Sequence, residues 1–132
     1  MFDFLKKIFT STPKQSNNII SAQIVKIEKH PNADRLRVIT LTDGVKEISP
    51  VVCGAFNFNE GDIVALALPG AFITHNVHSA EHESYTLGTA KIRGVESQGM
   101  ICSAFEIGKS SIPEEKPEIL VLPQGTALGK MV

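Results

Sequence analysis

Three groups of side chains in this 132-residue sequence are of types that carry chemistry. His75, His78 and His82 form an HxxHxxxH pattern beside Glu81 and Glu83, and on a helix that spacing would set three imidazoles on one face, as a metal site requires. The same stretch holds Asn76, Ser79 and Gly88 and reads as a loop, so solvated histidines are the expectation and a metal site the alternative. Cys53 and Cys102 lack any CxxC spacing, which points to reduced, buried thiols rather than a zinc cluster or a disulfide framework. There is no GxSxG, no glycine-rich phosphate loop and no HExxH, so neither catalysis nor a cofactor is expected.

The third group is cationic. Lys26, Lys29, Arg35, Arg37 and Lys46 face only Glu28, Asp34 and Asp43 within residues 20–46, a locally positive stretch in a chain whose net charge is −1. With a pI of about 6.4 the whole chain exerts no general pull on a polyanion, so any nucleic-acid contact must come from a patch. "AKIRGVESQGMICSAFEIG", residues 90–108, adds Lys91 and Arg93 just ahead of Ser97, Gln98 and Gly99. Phe56 and Phe58, two apart in a turn, could offer stacking surfaces to unpaired bases. Core aromatics and a solvated cationic face explain the same composition.

The elements that must position these groups are mostly strands. Residues 1–10 read as an amphipathic helix, with Phe2, Leu5, Ile8 and Phe9 opposite Lys6 and Lys7, and residues 11–18, "STPKQSNN", as a linker. The apolar run from Ile63 to Val77 is broken by Pro69 and Gly70 and is too short to span a membrane. The main domain, 19–132, opens with the β-branched "IISAQIVKIEKH", followed by the turn "HPNAD". In "RLRVITLTDG" Leu36 and Val38 alternate with Arg35 and Arg37, which predicts that both arginines share the solvent side. Asp43-Gly44 signals a hairpin, Pro50 an edge or a bulge, and "IVALALPGAFI" a strand buried on both faces. "SAFEI" reads as one or two helical turns and "KPEILVLP" as a last strand. Short strands at regular spacing between Gly and Pro turns predict an all-β small barrel.

Four segments, "KIEKHPNADRLRV", "VVCGAFNFNEGD", "ALPGA" and "AKIRGVESQGMICSAFEIG", resemble in this order the tRNA-binding OB-fold domain of the bacterial phenylalanyl-tRNA synthetase β subunit and of stand-alone structure-specific tRNA-binding proteins. The resemblance, which covers residues 20–132, implies a five-stranded Greek-key OB barrel, to which the sequence adds the short N-terminal helix and a C-terminal extension. It also implies non-catalytic binding of tRNA or structured RNA, with a homodimer and a synthetase as partners, while the reduced thiols point to the cytoplasm. Lys91 and Arg93 would then meet phosphates, joined by Lys26, Lys29, Arg35 and Arg37 in one basic strip. Ser97 and Gln98 would hydrogen-bond to the RNA, and Met100 and Ile101 would plug the barrel.

The sequence departs from the family pattern in three places. Phe56 stands where the family has Pro, the insert at 75–89 is longer and more polar, and the editing and catalytic-like parts of the synthetase subunit are missing. Met1 and a helix unlike the synthetase start favour a complete small protein over a fragment. Two competing readings remain: a protein-interaction module that has lost RNA, supported by Glu114, Glu115 and Glu118, and a metal-dependent protein using His75, His78 and His82.

Overall fold

The computed structural model describes residues 18–113 and 118–132; the expected helix over 1–10, the linker up to residue 17, and Glu114 and Glu115 lie outside them. The first strand, β1 (Ile19–Lys29), is long enough to serve two neighbours. Its first half pairs antiparallel with β4 (Ile63–Ala67), Ile19 opposite Ala67 and Gln23 opposite Ile63. Its second half pairs with β2 (Arg37–Thr42), as far as Lys29 opposite Arg37. A bulge between Ile24 and Lys26 resets the phase, so that Ala22 and Ile24 before it and Ile27 after it all turn to the core.

β3 (Glu47–Cys53) joins β2 and carries a second bulge at Ser49 and Pro50, where the sequence led one to expect it. Two small hairpins follow, β5 (Phe72–Ile73) with β6 (Tyr85–Thr86), and β7 (Ala90–Ile92) with β8 (Val95–Ser97). β9 (Met100–Ile101) and β10 (Val121–Leu122) lie one after the other along the free edge of β4. The path β9-β4-β1-β2-β3, with β10 beside it, makes one antiparallel sheet of six strands. Its ends approach each other, because Gln98 N–H donates to Pro50 C=O at 2.8 Å and Val52 N–H to Ser97 Oγ at 3.0 Å. The described residues contain no helix, and the architecture is all-β and OB-like.

β4 is buried at every position, and the strand period splits it between two clusters. Val64 and Leu66 join Ile24, Ile39, Leu41, Val51 and Phe58 inside the curled sheet. Ala65 and Ala67 face the other way, against Ile19, Ala71, Ile73 and Cys102. The tail fills the part of the β1 edge that β2 does not reach, with Ser21 N–H donating to Lys130 C=O and Val132 N–H to Ile19 C=O.

"SAFEI" is a single tight turn rather than a helix of one or two turns. Ser103 N–H donates to Glu106 Oε1 (2.8 Å) and Glu106 N–H to Ser103 Oγ (3.2 Å), a reciprocal capping pair. Lys109 N–H to Ala104 C=O and Gly108 N–H to Phe105 C=O close the other end, with Gly108 at φ 78°.

The β2–β3 turn depends on one carboxylate. Asp43 Oδ1 accepts from Val45 N–H (2.8 Å) and Lys46 N–H (2.9 Å), and these bonds to the charged form hold its pKa below the usual carboxylate value. A lowered folded pKa contributes stability above the unfolded pKa, and that stability is lost as pH falls through the folded one. Asp43→Ala is therefore expected to lower the melting temperature at neutral pH, the gap to wild type closing below about pH 4. A gap that stays constant from pH 7 to pH 3 would count against this role.

Candidate nucleic-acid interface

The cations predicted as one strip occupy different faces. Because directly paired residues share a face, Lys26, opposite Thr40, stands outside the curled sheet, while Lys29, opposite Arg37, stands on the core-facing side at its open end. Lys26 is also engaged by Glu28 at 3.3 Å. Arg37 is in phase with buried Ile39 and Leu41, so the expectation that it shares a solvent face with Arg35 is overturned. Its guanidinium carbon lies 4.4 Å from the ring centroid of Phe56 and 4.8 Å from that of Phe58, and Nη2 donates to Ala55 C=O at 3.2 Å. Its Nε is buried without a hydrogen-bond partner.

Phe56 and Phe58 have separate fates. Phe58 is 1% exposed and belongs to the core, whereas Phe56 is 56% exposed over the Arg37 guanidinium. Of the two, Phe56 alone presents a ring to solvent.

Arg35 and Arg93, remote in sequence, line one open cleft with Asn32, Ala33, Asp34 and Leu36. The hairpin that carries Arg93 is held by the "HPNAD" turn. His30 is 2% exposed; its Nδ1 accepts from Asn32 N–H at 2.9 Å, which leaves Nε2 to donate to Ile92 C=O at 3.0 Å. Asn32 Nδ2 donates to Arg93 C=O at 3.0 Å. Arg93 (φ 52°) and Gly94 (φ 89°) form a two-residue turn with both φ positive, which matches the twist of the flanking strands. Lys91 is exposed on β7, directly opposite Glu96.

Ser97 is a correction. It is 4% exposed, and its hydroxyl accepts from Val52 N–H and donates to Gly99 C=O at 2.8 Å, so it holds β8 to β3 instead of presenting a hydrogen bond to RNA. Gln98 is half-buried, with its backbone bonded to Pro50 and its side-chain amide 3.4 Å from Glu96 C=O. Gly99 answers a different need: a Cβ there would come within 2.7 Å of Ala67 C=O.

The histidines are not gathered. His75 stacks on Phe105 at 4.1 Å and its Nδ1 is 2.8 Å from Phe105 C=O; His82 meets the same ring edge-on at 5.2 Å; His78 is exposed. Among the described residues no group of three or more His, Cys, Asp or Glu is placed to hold a metal ion. Both cysteines are free and buried. Burial pushes the Cys53 thiol up, and burial together with nearby Glu106 does the same for Cys102, so neither is poised as a nucleophile.

Sequence reasoning missed His30 and Asn32 as positioning residues. Their types carried a trace of the role, since a histidine at a strand end before a Pro-Asn turn has two ring nitrogens to satisfy. Their partners, Ile92 and Arg93, lie about sixty residues on and could not be read.

A sequence model of the family described as "Putative tRNA binding domain" matches residues 19–131. The chain is similar to the phenylalanine–tRNA ligase β subunit of Chlamydia pneumoniae, 50% identical over 113 residues, which is 86% of this chain and 14% of that protein. It is 43% identical to the same subunit of Chlamydia abortus over 124 residues (94% of this chain, 15% of that one). With that of Dechloromonas aromatica the identity is 39% over 116 residues (88% and 13%). The chain thus corresponds to about 13–15% of the length of these relatives.

If His30 locks the hairpin, His30→Ala leaves Ile92 C=O and Asn32 N–H without their buried partner. The expected loss is about 1–3 kcal/mol in urea unfolding, with faster amide exchange across residues 90–97. Unchanged exchange in the hairpin would show that the lock is elsewhere.

Proposed function

The chain belongs to the family of tRNA binding domains, and on that premise we propose that it binds tRNA through the ends of the "HPNAD" turn and the β7–β8 hairpin. The observation that carries this reading is the convergence of Arg35 and Arg93 on one cleft, held there by His30 and Asn32. Two guanidiniums on a fixed frame suit phosphate oxygens, which they can bind bidentately. Exposed Lys91 and Lys29 extend the positive edge. Lys26, on the other face and paired with Glu28, stands outside it. Phe56 supplies an exposed ring beside the cations for an unpaired base.

The role is binding without catalysis. The family description is that of a binding domain, and both thiols are buried and protonated. A phenylalanine–tRNA ligase is the natural recipient of RNA held by such a domain, since the relatives are subunits of that enzyme. Free thiols suit the cytoplasm, and the described residues contain no helix long and apolar enough to cross a membrane. Self-association is a separate proposal, checked by light scattering at high concentration, where a single monomer mass would end it.

The test is tRNA binding by anisotropy at several salt concentrations, with duplex DNA as control. Arg35→Glu and Arg93→Glu are each expected to weaken binding and to lower the slope of log K against log salt by about 1 for every phosphate no longer neutralised. Lys26→Glu is expected to have the smaller effect. Equal effects for all three would mean diffuse attraction rather than a cleft, and no binding by wild type would favour the protein-interaction reading.

A further inference from the structure

Next to the cationic cleft, and sharing Leu36 with it, lies a second cavity of about 580 Å³, within the range of roughly 300–1,000 Å³ typical of ligand clefts. Its walls are mainly apolar: Leu36, Val52, Val77, Ile92, Met100 and Ile119. Two of these tie it to the cationic cleft, for Leu36 lines both, and Ile92 is bonded to His30 and immediately precedes Arg93. The rim carries the imidazoles of His78 and His82.

Of the polar groups in the wall, Ser103, Glu106 and Cys53 are buried, and Glu118 adds an exposed carboxylate. Ser103 and Glu106 cap one another, and Cys53 is a buried thiol that burial keeps protonated. The cavity holds no cation to attract an anion, and among the described residues no group of three donors is placed to hold a metal. It suits a flat group with apolar faces, and the adjoining Arg35 and Arg93 suit an anion. A nucleotide joins those two parts through one sugar.

We propose that the cavity takes one unpaired base of the bound RNA while Arg35 and Arg93 hold its phosphate. This rests on the tRNA-binding reading and adds to it a site for a single splayed nucleotide, so the domain would read a loop or an end rather than a continuous helix. The base would lie against Leu36, Val52 and Met100 of the lining, near the imidazoles of His78 and His82.

Met100 is a built-in reporter. The sequence has only Met1, Met100 and Met131; Met100 lines the cavity, and Met131 lies at the tail, bridged to Ile20. The full chain labelled with ¹³C-methyl methionine is titrated with bulk tRNA, with cytidine and adenosine 5′-monophosphates, and with ribose 5-phosphate. Ring current from an inserted base is expected to move the Met100 methyl with tRNA and with the nucleotides, and to leave it in place with ribose 5-phosphate. The Met131 methyl should stay in place throughout.

Val77→Trp, at an exposed wall position, would place an indole in the cavity without replacing a core side chain. It is expected to weaken tRNA binding about tenfold, the loss of one stacked base, with the salt slope and the affinity for a fully paired RNA duplex unchanged. Binding of tRNA by anisotropy with a motionless Met100 methyl and an unaffected Val77→Trp variant would overturn the base site and leave the RNA reading intact. Absence of tRNA binding by wild type would overturn both. Should Val77→Trp misfold, as its methyl spectrum would reveal, the nucleotide and ribose 5-phosphate titrations of wild type decide the matter alone.

Discussion

Ile63–Ala67 is the constraint the rest of the chain answers to. It is a strand of five apolar residues, buried on both faces and paired on both edges, with β1 on one side and β9 and β10 on the other. A strand in that position can leave no backbone group unpaired, since an orphaned amide away from water costs more than its hydrogen bond gains. It also needs a cover on each face. The curled sheet supplies one, over Val64 and Leu66, and the chain from Ala71 to Leu87 supplies the other, over Ala65 and Ala67. The small size of those two alanines fits the close layer above them, and Gly99 enters β9 where a side chain would collide with Ala67 C=O.

Much of this was legible. The β-branched run of β1, the Asp43-Gly44 hairpin, the bulge at Pro50 and the doubly buried β4 follow from residue type and period alone. The phase of β2 was not. Arg35, Leu36, Arg37 and Val38 alternate cleanly, but Ile39 and Leu41 continue the phase of Arg37, and they are the residues in the core. The short alternation misleads because it straddles the strand start at Arg37, where the inward position opens toward solvent. There an arginine can face in, lying over Phe58 and Phe56 and bonding Ala55 C=O. Leu36 is apolar because it lines the cavities, which no period of two reveals.

The same limit separates the polar residues of the hairpin. Ser97 and Arg93 are both polar, four positions apart, and composition gives no reason to treat them differently. Chain geometry does. A hydroxyl sits close to its own backbone, so beside a neighbouring strand it is consumed by the amide and carbonyl within reach, as Ser97 is by Val52 and Gly99. A guanidinium on a long stem can reach past its own backbone, and that of Arg93 lies along the open cleft.

Arg93 stands at a position that a hairpin normally gives to Asn, Asp or Gly. With φ at 52° it bears the steric cost of a left-handed residue, about 1–2 kcal/mol for a side chain with a Cβ. The bond from Asn32 to its carbonyl and that from His30 to the preceding carbonyl offset this and fix the turn in place. A hairpin needed only for structure would be more stable with Asn at that position, and its turn would need no buried histidine beneath it. The strain held by these partners sets the guanidinium in the cleft with Arg35, which is the placement that the proposed contact with RNA phosphate would use.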